Sequence, residues 1–141
     1  MSKIDYSYLI GVPFKNGGRS MEGMDCYGIA MEVFRHEGKE IGEYWSDAYD
    51  VDRINRIYRR EIKKWRKVDY KNGEEIPVPA LIGIRFNSPP GIVNHTGVYI
   101  GDGQFIHIRE RIGVCVDRID SPVWRSKIEG IYEFVGGKES G

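Results

Sequence analysis

A thiol attacks a carbonyl carbon only after losing its proton, and imidazole is the side chain best matched to take that proton near neutral pH. This chain of 141 residues has two cysteines and three histidines with which to build such a pair. Cys26 follows Asp25 and opens a segment in which Tyr27, Ala30, Met31 and Phe34 recur at helical spacing. Asp25 is the expected N-cap and Gly38 the stop, so Cys26 falls in the first turn. Unpaired amides and the helix dipole favour the anion there.

His95 and His107 lie in two strand-like segments, Asn94 to Ile100 and Gln104 to Arg109, joined by Gly101-Asp102-Gly103. With those three residues as the loop, Ile100 faces Gln104, Tyr99 faces Phe105 and Gly97 faces His107. His95 is then one diagonal step from His107 on the same face, roughly 7 Å away at the backbone. A two-residue loop would send the two rings to opposite faces.

Each of these residues also has a simpler reading. Most single cysteines are buried structural thiols, and paired histidines are often satisfied core residues or metal ligands. Cys26, His95 and His107 together could hold zinc, but the close-spaced ligand pairs of structural zinc sites are missing, so neither metal nor organic cofactor is expected. His36 lies more than a turn from Cys26 and reads as a helix-end residue. Cys115, in the alternating run Val114-Cys115-Val116, reads as a core or sheet-surface thiol.

The elements that must position these groups divide the chain near Tyr70. Before it, Tyr6 to Ile10 reads as a short helix or turn, the segment from Lys15 to Ser20 as a loop, and Asp50 to Lys67 as a second helix. That helix has Val51, Ile54, Tyr58, Ile62 and Trp65 as its apolar stripe. After it, Ala80–Phe86, Asn94–Ile100, Gln104–Arg109, Gly113–Val116 and Gly130–Val135 read as strands. Helices followed by strands imply an α+β fold, with N-terminal helices packed on a central antiparallel sheet of about five strands. One domain over residues 1–135 is expected, with 136–141 as a flexible Gly-rich tail.

Composition narrows the function classes. Apolar residues make up 40% and charged residues 30%, with 21 basic against 21 acidic side chains, which gives no footprint for a nucleic-acid partner. No apolar run is long enough to span a membrane and no leader-like N-terminus is evident, so synthesis in the cytoplasm is expected. Eight basic residues between Arg53 and Lys67 could bind an anionic surface, but such runs are usually solvated helix faces.

Two stretches carry a family resemblance. Gly11-Val12-Pro13-Phe14-Lys15-Asn16-Gly17-Gly18, followed by Met24-Asp25-Cys26-Tyr27-Gly28, resembles the G-x-P-Y-x-x-G-G and D-C-S-G sequences around the nucleophile of NlpC/P60 cysteine peptidases. Asn94-His95-Thr96-Gly97-Val98-Tyr99-Ile100-Gly101-Asp102-Gly103, with Phe105-Ile106-His107, resembles that family's H-V-G-I-Y-I-G-x-G and F-x-H segment. Tyr27 in place of Ser, and Trp124 before a closing strand, are similar to a phage-tail branch.

The resemblance implies a papain-like fold and a cysteine endopeptidase acting on peptidoglycan stem peptides, typically between D-glutamate and a diamino acid. It implies a catalytic set of Cys26 as nucleophile, His95 as base and His107 as the group that orients the base. Asp25, Tyr27, Phe14 and Asn94 are expected to border the substrate. Partners would be the stem peptide and other phage-tail or envelope proteins, with action in a virion tail or at the cell wall. Phe14 lacks the hydroxyl that the family's Tyr offers near the oxyanion, and losing one such donor costs about 2.7–4 kcal/mol of barrier. A wall-binding protein with little activity, or an acyltransferase of the same fold, are the competing expectations.

Overall fold

The computed structural model describes residues 4–136. A single 3₁₀ turn at Ser7–Leu9 is followed by a hairpin of two-residue strands, β1 (Arg19–Ser20), at the end of the segment expected to be loop, and β2 (Gly23–Met24), just beyond it. Helices α1 (Cys26–His36) and α2 (Val51–Glu61) come next. Strands β3 (Arg66–Lys67), β4 (Ala80–Ile84), β5 (His95–Gly101), β6 (Gln104–Arg109), β7 (Gly113–Arg118) and β8 (Ile128–Glu133) complete the chain. The tail expected to be flexible falls, from residue 137 onward, outside the described residues.

The sheet has six strands in the order β3-β8-β4-β5-β6-β7, all antiparallel, against an expected five or so. The additional member is β3, two exposed basic residues on the sheet edge whose sequence has no alternation to betray a strand. One face of the sheet receives α1. Ile29, Ala30, Val33 and Phe34 are buried there with Leu81, Val98, Ile106, Ile108 and Val114. The opposite face carries Ala80, Ile82, Ile84, Phe105, Ile128 and Ile131 under Trp124. Helix α2 runs as expected from its Asp50 cap but ends at Glu61 and tightens into a 3₁₀ turn, Ile62–Lys64. It buries Tyr58, whose hydroxyl meets that of Tyr132 at 2.9 Å, while the rest of its apolar stripe stays half-buried.

The β5–β6 hairpin keeps the expected pairing of Tyr99 with Phe105 by a different route, but Gln104 pairs with Gly101 and not with the expected Ile100. Gly101 pairs with Gln104, leaving only Asp102 and Gly103 as the turn. Both have positive φ (57° and 75°), the backbone that an Asp-Gly turn of type I′ supplies. A register shift between Tyr99 and Gly101 then absorbs one residue, so Tyr99 still pairs with Phe105 and Val98 with Ile106. The bulge restores the parity that a two-residue loop alone would have broken, and both histidines share a face.

Candidate active site

Cys26 is the first residue of α1. The Asp25 carboxylate accepts from the Gly28 amide at 2.7 Å, which caps the helix and fixes the direction in which Cys26 leaves it. The same oxygen accepts from Arg19 Nη1 at 2.6 Å, and Arg19 in turn donates to the Tyr44 carbonyl at 2.8 Å, tying β1 and the loop after α1 to the helix start. Gly28 has no room for a side chain: a Cβ there would lie 2.7 Å from the Gly18 carbonyl oxygen and 3.2 Å from the capping carboxylate.

The cysteine opens into a cavity of about 410 Å³ that is also lined by Phe14, Tyr27, Asn94, His95 and Thr96. The α2 side contributes Val51, Ile54, Tyr58, Ile62 and Trp65, so the stripe read from the sequence forms one wall of the cleft. Six of the seven residues singled out from the sequence, Asp25 among them, therefore border one cavity, while His107 lies behind His95. Asp25 is spent on the cap and on Arg19. Asn94 accepts from the Phe86 amide at 2.7 Å and donates to the Phe86 carbonyl at 2.9 Å, clamping the loop between β4 and β5. Tyr27 donates to the Gly42 carbonyl at 2.8 Å and holds the loop after α1.

Behind His95 runs a relay. His95 Nε2 lies 2.9 Å from His107 Nδ1, and His107 Nε2 lies 2.8 Å from Asp117 Oδ2. An ionised carboxylate can only accept, so His107 carries its proton on Nε2 and presents a bare Nδ1. His95 must then donate from Nε2, which leaves its Nδ1 without a proton and free to act as a base. The chain of bonds thus selects one tautomer for the base, the second-partner logic by which imidazoles are set in working sites. Asp117 was not among the expected residues: the strand containing it was expected to stop at Val116, whereas β7 continues to Arg118.

Packing holds the relay rigid. His107 is fully buried, with Trp124 edge-on at 4.8 Å between ring centroids and Phe105 at 4.7 Å; His95 lies against Phe86 at 5.5 Å. Gly97 makes this stacking possible, since a Cβ there would fall 2.9 Å from Phe105 Cδ2 and 3.4 Å from His107 Cβ.

The electrostatics depart from the expected activated anion. Burial pushes the Cys26 thiol up and the Asp25 charge adds to this, while Thr96 and Arg19 oppose it. Burial, the neighbouring His107 and the Arg109 charge hold His95 well below the usual histidine range. Both directions favour the neutral thiol and the neutral imidazole, with desolvation the largest cause in each. The Thr96 hydroxyl is buried and, among the described residues, makes no hydrogen bond. With the Thr96 amide it faces the sulfur and favours the anion, so it is a donor available to a thiolate once formed.

Comparison with known proteins places this geometry. The sequence profile of the NlpC/P60 family matches residues 11–133. The murein DD-endopeptidase MepS/murein LD-carboxypeptidase of Escherichia coli is 25% identical over 118 residues, 83% of this chain and 53% of its own length. The gamma-DL-glutamyl hydrolase of Bacillus subtilis is 28% identical over 126 residues, 89% of this chain and 27% of its own. The chain thus spans about half, or less, of these two relatives. An NlpC/P60 family protein from Bacillus cereus shares the fold with a TM-score of 0.67 at 22% identity, covering 92% of this chain and 38% of that one. A cysteine at a helix start and a histidine on an antiparallel sheet line one cavity, in a sequence whose residues 11–133 the profile matches, and this leaves one assignment: the chain belongs to the NlpC/P60 family.

Proposed function

We propose that this protein is a cysteine peptidase that hydrolyses amide bonds in peptidoglycan stem peptides. The observation that carries the reading is that Cys26 and His95 open into one cavity while His107 and Asp117 fix the proton of His95 on the side away from it. In the reaction the Cys26 proton passes to His95 Nδ1 as the sulfur attacks the amide carbonyl. The resulting imidazolium is held by His107, and through it by the Asp117 carboxylate. His95 then gives the proton to the leaving amine, a thioester remains on Cys26, and water activated by the same imidazole releases the acid.

Phe14 brings a ring but no hydroxyl to the cavity. Negative charge on the carbonyl oxygen falls instead to the first-turn amides of Cys26 and Tyr27, which have no acceptor within the helix. Thr96 supports the sulfur when it is anionic. A bond between D-glutamate and a diamino acid is the finer substrate reading, supported by the relative named as a gamma-DL-glutamyl hydrolase. The Asp-Cys-Tyr-Gly sequence supports the further reading that the protein works in a phage tail, with the cell wall as its place of action.

Digestion of purified muropeptides followed by mass spectrometry tests the proposal. The wild type is expected to give new amino and carboxyl ends with addition of water, and Cys26→Ala to give none. Equal cleavage by both removes Cys26 from the mechanism, and product masses shifted by an added amine would make the enzyme a transferase.

A further inference from the structure

The far side of the relay carries a second constellation. Among the described residues, His107, Cys115 and Asp117 place one imidazole nitrogen, one thiol sulfur and one carboxylate oxygen within 4.8 Å of one another. Cys115 Sγ is 3.8 Å from His107 Nε2, and Asp117 Oδ2 is 2.8 Å from the same nitrogen. The register explains the gathering. His107 pairs with Cys115 and Phe105 with Asp117 across β6 and β7, so all three groups emerge on one face. His107 is buried, whereas Cys115 and Asp117 are half-buried and reachable from solvent.

Zinc bonds to sulfur at about 2.3 Å and to nitrogen or oxygen at about 2.0–2.2 Å, so tetrahedral ligand atoms stand roughly 3.3–3.6 Å apart. The sulfur and nitrogen are already near that separation. The carboxylate, up to 4.8 Å from the sulfur, needs to move roughly half an ångström away from the nitrogen and roughly an ångström toward the sulfur, and a water completes the fourth position. A thiolate, an imidazole and one carboxylate favour zinc over the hard cations, which prefer oxygen alone.

We propose that His107, Cys115 and Asp117 form an inhibitory zinc site that switches off the peptidase by reversing the tautomer of His95; the inhibition rests on the catalytic reading above, whereas the site does not. Zinc takes the lone pair of His107 Nε2, which therefore cannot keep its proton. Neutral His107 then carries hydrogen on Nδ1, received across the 2.9 Å contact from His95 Nε2. His95 becomes the acceptor in that bond and carries its own proton on Nδ1, where it can no longer take one from Cys26. The count closes with one zinc ion bound, the Cys115 proton released, and the Nε2 proton of His107 replaced in the pair by one on His95 Nδ1. Two anionic ligands neutralise the ion. Zinc thereby acts on the base from behind, without touching the nucleophile or the cleft.

The test uses the full chain and reads binding, tautomer and activity separately. Titration with Co²⁺ is expected to give a thiolate-to-metal charge-transfer band in wild type and in Cys26→Ala, and no such band in Cys115→Ser. Zn²⁺ competing with Co²⁺ is expected to bind Cys115→Ser more weakly by about tenfold or more. Nitrogen NMR of the labelled Cys26→Ala protein is expected to show the His95 proton on Nε2 without metal and on Nδ1 with Zn²⁺. Muropeptide cleavage by wild type is expected to fall on adding Zn²⁺ and recover with a chelator, while Cys115→Ser cleaves normally and resists the same zinc concentration. A band that survives in Cys115→Ser and vanishes in Cys26→Ala would place the metal on the nucleophile and overturn the site. An unchanged His95 tautomer in the zinc-bound protein would overturn the coupling. Absence of cleavage by metal-free wild type, with the band and tautomer shift as expected, would instead strike the catalytic reading and leave the site standing.

Discussion

Asp117 decides which nitrogen of His95 is free to work, although it touches neither the cleft nor the thiol. Removing its carboxylate as Asp117→Ala lets His107 place its proton on either nitrogen, so the fraction of His95 in the useful tautomer drops. The expected outcome is a fall in kcat of roughly 10²-fold, within the range attributed to a positioned general base, with KM nearly unchanged. Asp117→Asn can turn its amide oxygen toward His107 and is expected to retain more activity than Asp117→Ala; steady-state kinetics of the two variants checks both, and equal losses in kcat and KM would point to a merely structural role. The buried histidines also set a pH dependence of stability. Both are held below their ordinary range, chiefly by burial. Above about pH 6.5 neither the folded nor the unfolded chain protonates them and stability is full. As pH falls below that, the unfolded chain binds protons that the folded chain refuses, and stability drops by up to about 1.4 kcal/mol per pH unit for each histidine. His95→Asn is expected to flatten the fall in Tm between about pH 6.5 and pH 5 relative to wild type. Glu61, held at about 2 chiefly by Lys64 and Tyr44, contributes only further into acid.

At the scale of elements, the hairpin of β5 and β6 sets the histidines and the start of α1 sets the cysteine, and these two were legible to different degrees. The helix start was plain because Asp25, Cys26 and the periodic residues after them act locally. The shared face of His95 and His107 was legible from parity, but the turn that achieves it was not. A loop of three residues, and a loop of two with a bulge, predict the same facing pairs from Tyr99 and Phe105 onward and differ only in the partner of Gln104, which the hydrogen-bond ladder gives as Gly101. Asp117 was missed because apolar alternation fades at Val116, although the strand continues by pairing Phe105 with Asp117 and Gln104 with Arg118. Continuing the alternation by one more residue would have put a carboxylate beside His107. Gly97 is the point where the hairpin tolerates least change. Gly97→Ala drives a methyl into Phe105 and the base of His107. The expected result is a loss of about 1–3 kcal/mol in urea unfolding, with activity falling further than stability does because the relay is displaced. A stable and fully active variant would mean that the ring stacking is not what aligns the histidines.

The whole molecule presents the nucleophile in a cleft whose charged lining, among the described residues, is acidic: Asp25, Glu61 and Glu110. Two of these are already engaged, Asp25 with Arg19 and Glu61 with Lys64 and Arg60. Glu110 is exposed at the turn between β6 and β7, where it accepts from the Tyr49 hydroxyl at 2.5 Å. That bond joins the loop after α1 to the sheet, so the carboxylate is held at the edge of the cavity while remaining open to water. A chain with equal numbers of acidic and basic residues has no overall field to favour a cationic substrate, so under the proposed function a preference for one would come from this local arrangement. Much of the remaining wall is aromatic and aliphatic, from Tyr44 and Trp45 through the apolar side of α2, and suits the hydrocarbon part of a side chain. A peptide with a free amino group on a long side chain fits both features, with its methylenes against α2 and its ammonium at Glu110. Acetylating that amine is expected to raise KM by about two- to fivefold, the scale of one solvent-exposed ion pair, and to leave kcat in place. Glu110→Gln is expected to remove the difference between the free and acetylated peptides, and added salt is expected to shrink it in the wild type alone. Should the acetylated peptide keep its disadvantage in Glu110→Gln at every salt concentration, the preference would lie in the size of the acyl group against the α2 wall and not in charge.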